Sequence, residues 1–404
     1  GEVKLWLDQI KRTGYAQGSS LVMPTVDLDG VWLANRADAN PSLGVEPANM
    51  PRVRLIREEL GGETSFTYGQ PTYGCSNMSG DWDQNHQYCF PVWVKPDGQP
   101  GGWSVANKWM VTQAKAHDIT GGSPDQVTNY TYQDAPAWHH SDDPVLPTSA
   151  QTWSDYRGHS KVKATTGSST STWLYYRGMD GDKNSDGTTK TVAITTVNNL
   201  TSTDSNWLAG RVREDRQTDT SGGGLRAMVH GYDVDDTTLT DSLGHRARRV
   251  VEARLAGRID NGSGPTIETY QSTVFDGRGF PIEVHDEGDQ ATTADDRCSQ
   301  IIYADNQASW IRDRVARVKT DNNCAAPYDR ITDTFYDNHA GLTDPPLAGR
   351  PTKIVRYEAS TLDDTPMAAN GFETTMVYDA YGRVTQTTSA AGKVTTTAFT
   401  PANA

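Results

Sequence analysis

One phrase limits what this chain can fold into more than any other. Met376-Val377-Tyr378-Asp379-Ala380-Tyr381-Gly382-Arg383-Val384-Thr385 has a Tyr-Asp-x-x-Gly-Arg core, and degraded copies of that core recur upstream. Phe275-Asp276-Gly277-Arg278-Gly279-Phe280 is one copy, and Phe335-Tyr336-Asp337-Asn338 opens another. Each joins two strand-like runs through residues suited to a tight hairpin. The aspartate can accept amides across the turn, and the glycine can take the positive φ that a side chain resists. A chain punctuated in this way is expected to be all-β, a wall of hairpins. Within the core, Tyr378 should lay its ring over a neighbouring hairpin with its hydroxyl reaching an edge. Arg383 should either bridge to a carboxylate on the next hairpin or stay solvated.

Leu208-Ala209-Gly210-Arg211, Leu255-Ala256-Gly257-Arg258 and Leu347-Ala348-Gly349-Arg350 form a second recurrent phrase, at offsets of 47 and 92 residues. An interval in this range is typical of stacked repeats or of a propeller. Repeats of either kind need neighbours to cover their apolar faces.

The remaining sequence agrees with a thin β architecture. Hydrophobic residues make up 35%, and 37 Gly with 20 Pro indicate many turns. The apolar load falls on 11 Trp, 17 Tyr and 7 Phe, whose rings bury large areas individually. Lys190 to Val197 and Lys393 to Phe399 alternate like strands with one face outward. The best helical candidate, Trp310 to Val318, contains valines that suit a strand equally well. No linker cuts the chain cleanly. The expected organisation is a β-rich region over 1–150, holding the Cys75/Cys89 loop, and a repeat-hairpin sheet over 151–404 continuous with it. The four cysteines form two local pairs, Cys75 with Cys89 and Cys298 with Cys324, without Cys-x-x-Cys spacing. Disulfides and an extracytoplasmic destination are expected from them, with four reduced, partly buried thiols as the alternative.

Several of these phrases together resemble the rearrangement-hotspot (RHS), or YD-repeat, proteins, particularly long secreted ones of actinobacteria. The repeat core at Tyr378 to Val384 and its copies carry the resemblance, with Cys89-Phe90-Pro91-Val92-Trp93, Thr152 to Gly158, Tyr176 to Asp182 and the Leu-Ala-Gly-Arg phrases. The resemblance implies a β-hairpin sheet spiralling into a hollow shell, as in bacterial toxin cocoons and teneurin barrels. In polymorphic-toxin members such a shell encloses a variable C-terminal toxin. The family's shell-closing region, with its aspartate-based self-cleavage, and the toxin beyond it have no counterpart in these residues, so neither chemistry carries over. The start at Gly1 and the stop at Ala404 just after a strand read as cuts in a longer product.

Asp180 to Gly187 is the strongest chemical motif. From Asp182 onward, Asp182, Asn184 and Asp186 alternate before Gly187, as at the start of a calcium loop. The twelfth position is Ala193 and not Glu, which excludes a good EF-hand match. A calcium-bound hairpin and a hydrated polar turn both remain open, and no other cofactor is required. Trp138-His139-His140-Ser141-Asp142-Asp143 reads as a loop leaving a strand, because adjacent strand residues face opposite ways. Gly222-Gly223-Gly224 reads as a flexible loop, since no phosphate-binding Lys-Ser/Thr follows. Asn77, Asn129, Asn199 and Asn261 begin glycosylation-type triplets of weak specificity.

A net charge of −14 and a pI near 5.1 disfavour nucleic acid and anionic lipid as partners. No apolar run approaches the roughly 20 residues of a membrane helix, and no nucleophile elbow, zinc helix or Walker loop occurs. Taken with these exclusions, the resemblance implies a non-catalytic, secreted or cell-surface shell segment. Its partners would be a C-terminal toxin domain, the rest of the shell in the same polypeptide, and a cell-surface receptor or glycan. Two rivals stand beside it. One is an adhesive or carbohydrate-binding protein, which would expose aromatics such as Trp82, Trp93 and Trp103. The other is a glycan-processing β-propeller enzyme, favoured by the 47-residue offset.

Overall fold

The computed structural model describes residues 4–16, 18–40, 42, 45–71, 74–75, 81–94, 101–219, 222–240, 246–260, 264–362 and 371–400. The chain is all-β, and its helical segments are single 3-10 turns such as Trp82–Gln84 and Asn206–Leu208. It divides into two compact units, Gly1–Val229 and His230–Ala404. Residues 150 and 151 lie inside the first unit. Of the strands that follow them, Trp153–Gly158 pairs back onto Ala137–His140 and Lys161–Thr166 onto Gln126–Gln133.

The first unit is an antiparallel meander in which each strand pairs with the next. Its strands are β1 (Val26–Ala34), β2 (Asn49–Arg57), β3 (Gly62–Gly69), β4 (Met110–Asp118), β5 (Gln126–Gln133), β6 (Lys161–Thr166), β7 (Ser169–Tyr175), β8 (Val212–Asp219) and β9 (Gly224–Thr240). Val229 and His230 are adjacent residues of β9. The second unit continues the pattern with β10 (Arg246–Ile259), β11 (Ile267–Phe275), β12 (Pro281–Asp289), β13 (Arg297–Asn306), β14 (Ile311–Asp321), β15 (Tyr328–Tyr336), β16 (Pro351–Leu362), β17 (Phe372–Tyr378), β18 (Val384–Thr388) and β19 (Val394–Thr396). In the helical candidate Trp310 to Val318, Trp310 ends a turn and Ile311 onward is β14. Its β-branched residues pair across both neighbours, Val318 opposite Ile301 and opposite Thr332. That non-local pairing overrides a weak helical preference.

Burial along many of these strands does not alternate. Every residue of β7 and of β18 is half-buried, and β6 has one buried residue, Ala164. A sheet that packs one face on a core shows the opposite, a clean in–out alternation. The fully buried side chains of the first unit lie largely in insertions between the strands. Ribbons Cys89–Val94 with Gly102–Asn107 and Ala137–His140 with Trp153–Gly158 bring Tyr88 and Trp138 into one buried aromatic group, and Tyr176 is buried nearer Gly210 and Arg211. Phe90 stacks on Trp138 at 4.6 Å, Trp138 Nε1 donates to the Gln87 carbonyl, and the Tyr88 hydroxyl meets His159 Nε2 at 2.9 Å. In the second unit the buried clusters are small: Ala304, Ala316 and Tyr336 in one, Tyr328 and Ile331 in another.

Candidate functional site

Four hairpin connections of the second unit, those between β11 and β12, β13 and β14, β15 and β16, and β17 and β18, carry the Tyr/Phe-Asp signature or its relatives. In the last of them, Asp379 Oδ1 accepts the amides of Tyr381 and Arg383, and Oδ2 accepts Arg383 Nε at 2.7 Å. The amide of Arg383 is the largest influence on this carboxyl. Partial desolvation opposes it, the Arg383 guanidinium reinforces it, and ionisation is held below the ordinary range. Gly382 closes the turn at φ +80°. The carboxylate that receives Arg383 Nε thus belongs to its own turn, and the guanidinium lies over the Tyr381 and Phe399 rings. The Phe275 copy repeats the device. Asp276 accepts the amides of Arg278 and Phe280 and the Arg278 Nε, and Gly279 sits at φ +90°.

Bridges to a neighbouring hairpin are made by Arg278 and Arg249. Arg278 Nη1 reaches Asp305 Oδ2 at 3.1 Å, where Arg312 also binds, and Arg249 Nη1 donates to the Gly277 carbonyl at 2.9 Å. The Arg350 guanidinium lies against Gly382, so a Cβ there would meet its Nη2 at 3.0 Å.

The Tyr378 hydroxyl reaches a neighbouring strand as expected, and the same bond recurs at other tyrosines. The hydroxyls of Tyr68, Tyr303, Tyr336 and Tyr378 donate to the carbonyls of Val53, Pro281, Val315 and Pro351, each on the preceding strand. All four tyrosines sit where the ladder to the following strand slips register. A bulge interrupts backbone pairing, and at each one the phenol adds a bond on the opposite side of the same strand. Phe275 occupies an equivalent slip without a hydroxyl.

The Leu-Ala-Gly-Arg phrases are not equivalent in space, which corrects the second repeat. Leu208 ends a 3-10 turn, Leu255 to Arg258 lie inside β10, and Leu347 to Arg350 form a loop. In the loop, Asp337 Oδ2 accepts the amides of Leu347, Ala348 and Gly349, and Oδ1 accepts that of Arg350. Burial alone would raise the Asp337 pKa, but these amides together hold it low. Asp204 does similar work for Arg177, Gly178 and Met179.

Of the calcium-type residues, Asp182 is buried, its Oδ2 2.7 Å from Lys190 Nζ and its Oδ1 accepting the His140 amide at 2.9 Å. His139 Nε2 stands 3.6 Å from Asp182, so both histidines of the Trp138 to Asp143 segment adjoin this aspartate. Asn184 Nδ2 donates to Thr188 Oγ1, and Asp186 accepts the Thr188 hydroxyl and amide, which lower its pKa. Cys75 is bonded to Cys89 and Cys298 to Cys324, with Cα separations of 5.4 and 5.1 Å. Gly222 and Gly223 close a hairpin on Asp219. Asn129 lies on β5 and accepts from Gln113, Asn199 is at a hairpin tip, and Asn77 and Asn261 lie outside the described residues.

Trp93 and Trp103 are 45% and 48% exposed and stand edge to face, with centroids 5.3 Å apart. Beside them a groove of about 370 Å³ is lined by Asp38, Trp82, Pro91, Trp103 and Ser104. Ser104 Oγ and Arg36 Nε both donate to Asp38. Burial opposes ionisation of Asp38, and these donors hold its pKa low nonetheless.

No family model and no curated protein matches this chain. Solved structures do. The Photorhabdus luminescens Tc holotoxin pore aligns with 10% identity over 97% of this chain and 24% of that one, at a TM-score of 0.49. A crystal structure of TcdB2-TccC3 aligns with 11% identity over 97% and 26%, also at 0.49. The chain therefore spans about a quarter of the length of these solved chains. Among the described residues no helix is long and apolar enough to cross a membrane.

Proposed function

We propose that this chain is a non-catalytic wall segment of a secreted RHS-type shell that encloses a C-terminal toxin domain. One observation carries the reading: sequence-adjacent strands pair without interruption within each unit, while both faces of several strands stay half-exposed. A wall with water outside and cargo inside needs strands of that kind. A globular domain does not, because it buries one face. The arginine bridges and tyrosine bonds between neighbouring hairpins fix the register such a wall requires, and the two disulfides suit an oxidising destination. The test is expression of the toxin-bearing continuation with and without this segment, followed by limited proteolysis. Protection of the toxin only when the segment is present supports containment, and equal sensitivity refutes it.

The half-exposed Trp93 and Trp103 favour a second reading, glycan binding at the aromatic groove. Exposed indole faces stack on sugars, and the Asp38 carboxylate can accept a hydroxyl. Binding on a glycan array that Trp93→Ala and Trp103→Ala abolish would establish it, and an array without signal would remove it.

A further inference from the structure

Among the described residues, His285, Cys298 and Cys324 bring one ligand atom each within 4.8 Å of one another. The ladder preorganises this group. His285 and Cys298 are direct cross-strand partners on β12 and β13, and Cys298 lies opposite Asp321 at the end of β14. Asp321 in turn gathers the amides of Asn323, Cys324 and Ala325, which fixes the loop that presents the second sulfur. His285 Nε2 is 3.8 Å from Cys298 Sγ and 2.6 Å from Glu283 Oε1. Glu283 is two residues from His285 on the same face of β12, and its other oxygen accepts Gln300 Nε2 at 3.0 Å. Gln300 is itself held by the Tyr328 hydroxyl.

We propose that reduction of the Cys298–Cys324 disulfide converts this corner into a zinc site, with Cys298, Cys324 and His285 as ligands and Glu283 in the fourth position. Two thiolates, an imidazole and a carboxylate form a ligand set that zinc takes in tetrahedral geometry. Zn–S bonds of about 2.3 Å and Zn–N bonds of about 2.0 Å put neighbouring ligand atoms about 3.5 Å apart. His285 Nε2 already stands near that distance from Cys298 Sγ, at 3.8 Å, and close to Glu283 Oε1, at 2.6 Å, and cleavage of the disulfide lets the two sulfurs move apart to it. A phosphine reductant and one water cleave the S–S bond, giving two thiols and the phosphine oxide, and zinc then displaces the two thiol protons to solvent. A covalent link between the β12–β13–β14 corner and its loop would thus be exchanged for a metal link on passing from oxidising to reducing surroundings.

The test uses the full chain, oxidised and phosphine-reduced, titrated with zinc against a chromophoric chelator and separately with cobalt(II). The reduced chain is expected to hold zinc, and with cobalt to show thiolate charge-transfer and tetrahedral d–d absorption. The oxidised chain should show neither. His285→Ala should weaken zinc at least tenfold, and Glu283→Gln should weaken it measurably. Both variants keep the disulfide, so folding of their oxidised forms is checked independently by circular dichroism. Cys75→Ser/Cys89→Ser should leave the binding intact, which separates this site from the other cysteine pair. The proposal is overturned by absent zinc binding in the reduced chain, by equal binding in the oxidised chain, or by His285→Ala binding as tightly as the parent. Unchanged affinity in Glu283→Gln overturns the fourth ligand.

Discussion

At the residue scale, the turn aspartates and glycines set the geometry, and each can be tested alone. Gly382 holds φ +80°, and the nearest atoms a Cβ there would meet are those of the Arg350 guanidinium, the end of a flexible side chain, so backbone strain is the main cost of a side chain. Gly382→Val should lose about 1–3 kcal/mol. Gly277→Ala, where a Cβ meets nothing within 4 Å, should stay within about 0.5 kcal/mol. Denaturant midpoints decide, and equal midpoints would contradict the strained turn. Asp337 gives a pH test. Its folded pKa lies below its unfolded value because its amide bonds outweigh burial. Its contribution is therefore complete above the unfolded pKa of about 3.9 and is lost as pH falls through the lower folded value. Asp337→Asn keeps one acceptor oxygen of the two, so the amides of Leu347, Ala348, Gly349 and Arg350 cannot all be bonded as in the parent. The variant should melt lower at neutral pH, and its melting temperature should fall less steeply than the parent's below about pH 4. Parallel curves would exclude Asp337 as a source of acid sensitivity.

At the element scale, the hairpins were legible and the insertions were not. Asp276 to Gly279 and Asp379 to Gly382 state their turns in four residues each, because a local amide-accepting side chain and a positive φ are local chemistry. The same turn closes at Asp118 to Gly121 and Ser389 to Gly392, where Asp-x-x-Gly or Ser-x-x-Gly was the available signal. The Leu-Ala-Gly-Arg spacing misled because four common residues serve a strand, a 3-10 turn and an aspartate-wrapped loop equally well. Tyr378 was readable as an edge-seeking hydroxyl, whereas its carbonyl partner, Pro351, depends on pairing 27 residues away. The Asp182 environment was also hidden, since Lys190 and His140 approach it from separate segments. Lys190 Nζ already stands beside this buried carboxylate. Lys190→Met, which leaves the charge unpaired, should cost about 3–5 kcal/mol, with part restored by adding Asp182→Asn. Millimolar calcium added to the chelated parent should release no heat. Calcium heat that vanishes in Asp182→Ala would instead make this hairpin a metal site.

At the scale of the whole molecule, the governing quantity is how little surface folding removes from water. Within each unit, strands such as β7 and β18 are half-solvated along their whole length, and apolar residues such as Trp310, Leu347 and Tyr381 stand exposed at the hairpin turns. Stability must then come less from a shared core than from ladders, turn carboxylates and cross-hairpin arginines, each contributing locally. Denaturant sensitivity tests this directly, because the m-value tracks the surface newly exposed on unfolding. Urea unfolding followed by tryptophan fluorescence and by circular dichroism should give an m-value clearly below that of compact proteins of equal length. A value matching theirs would mean that the sheet faces are covered in solution, and the wall reading would lose the physical feature that distinguishes it from an ordinary globular domain.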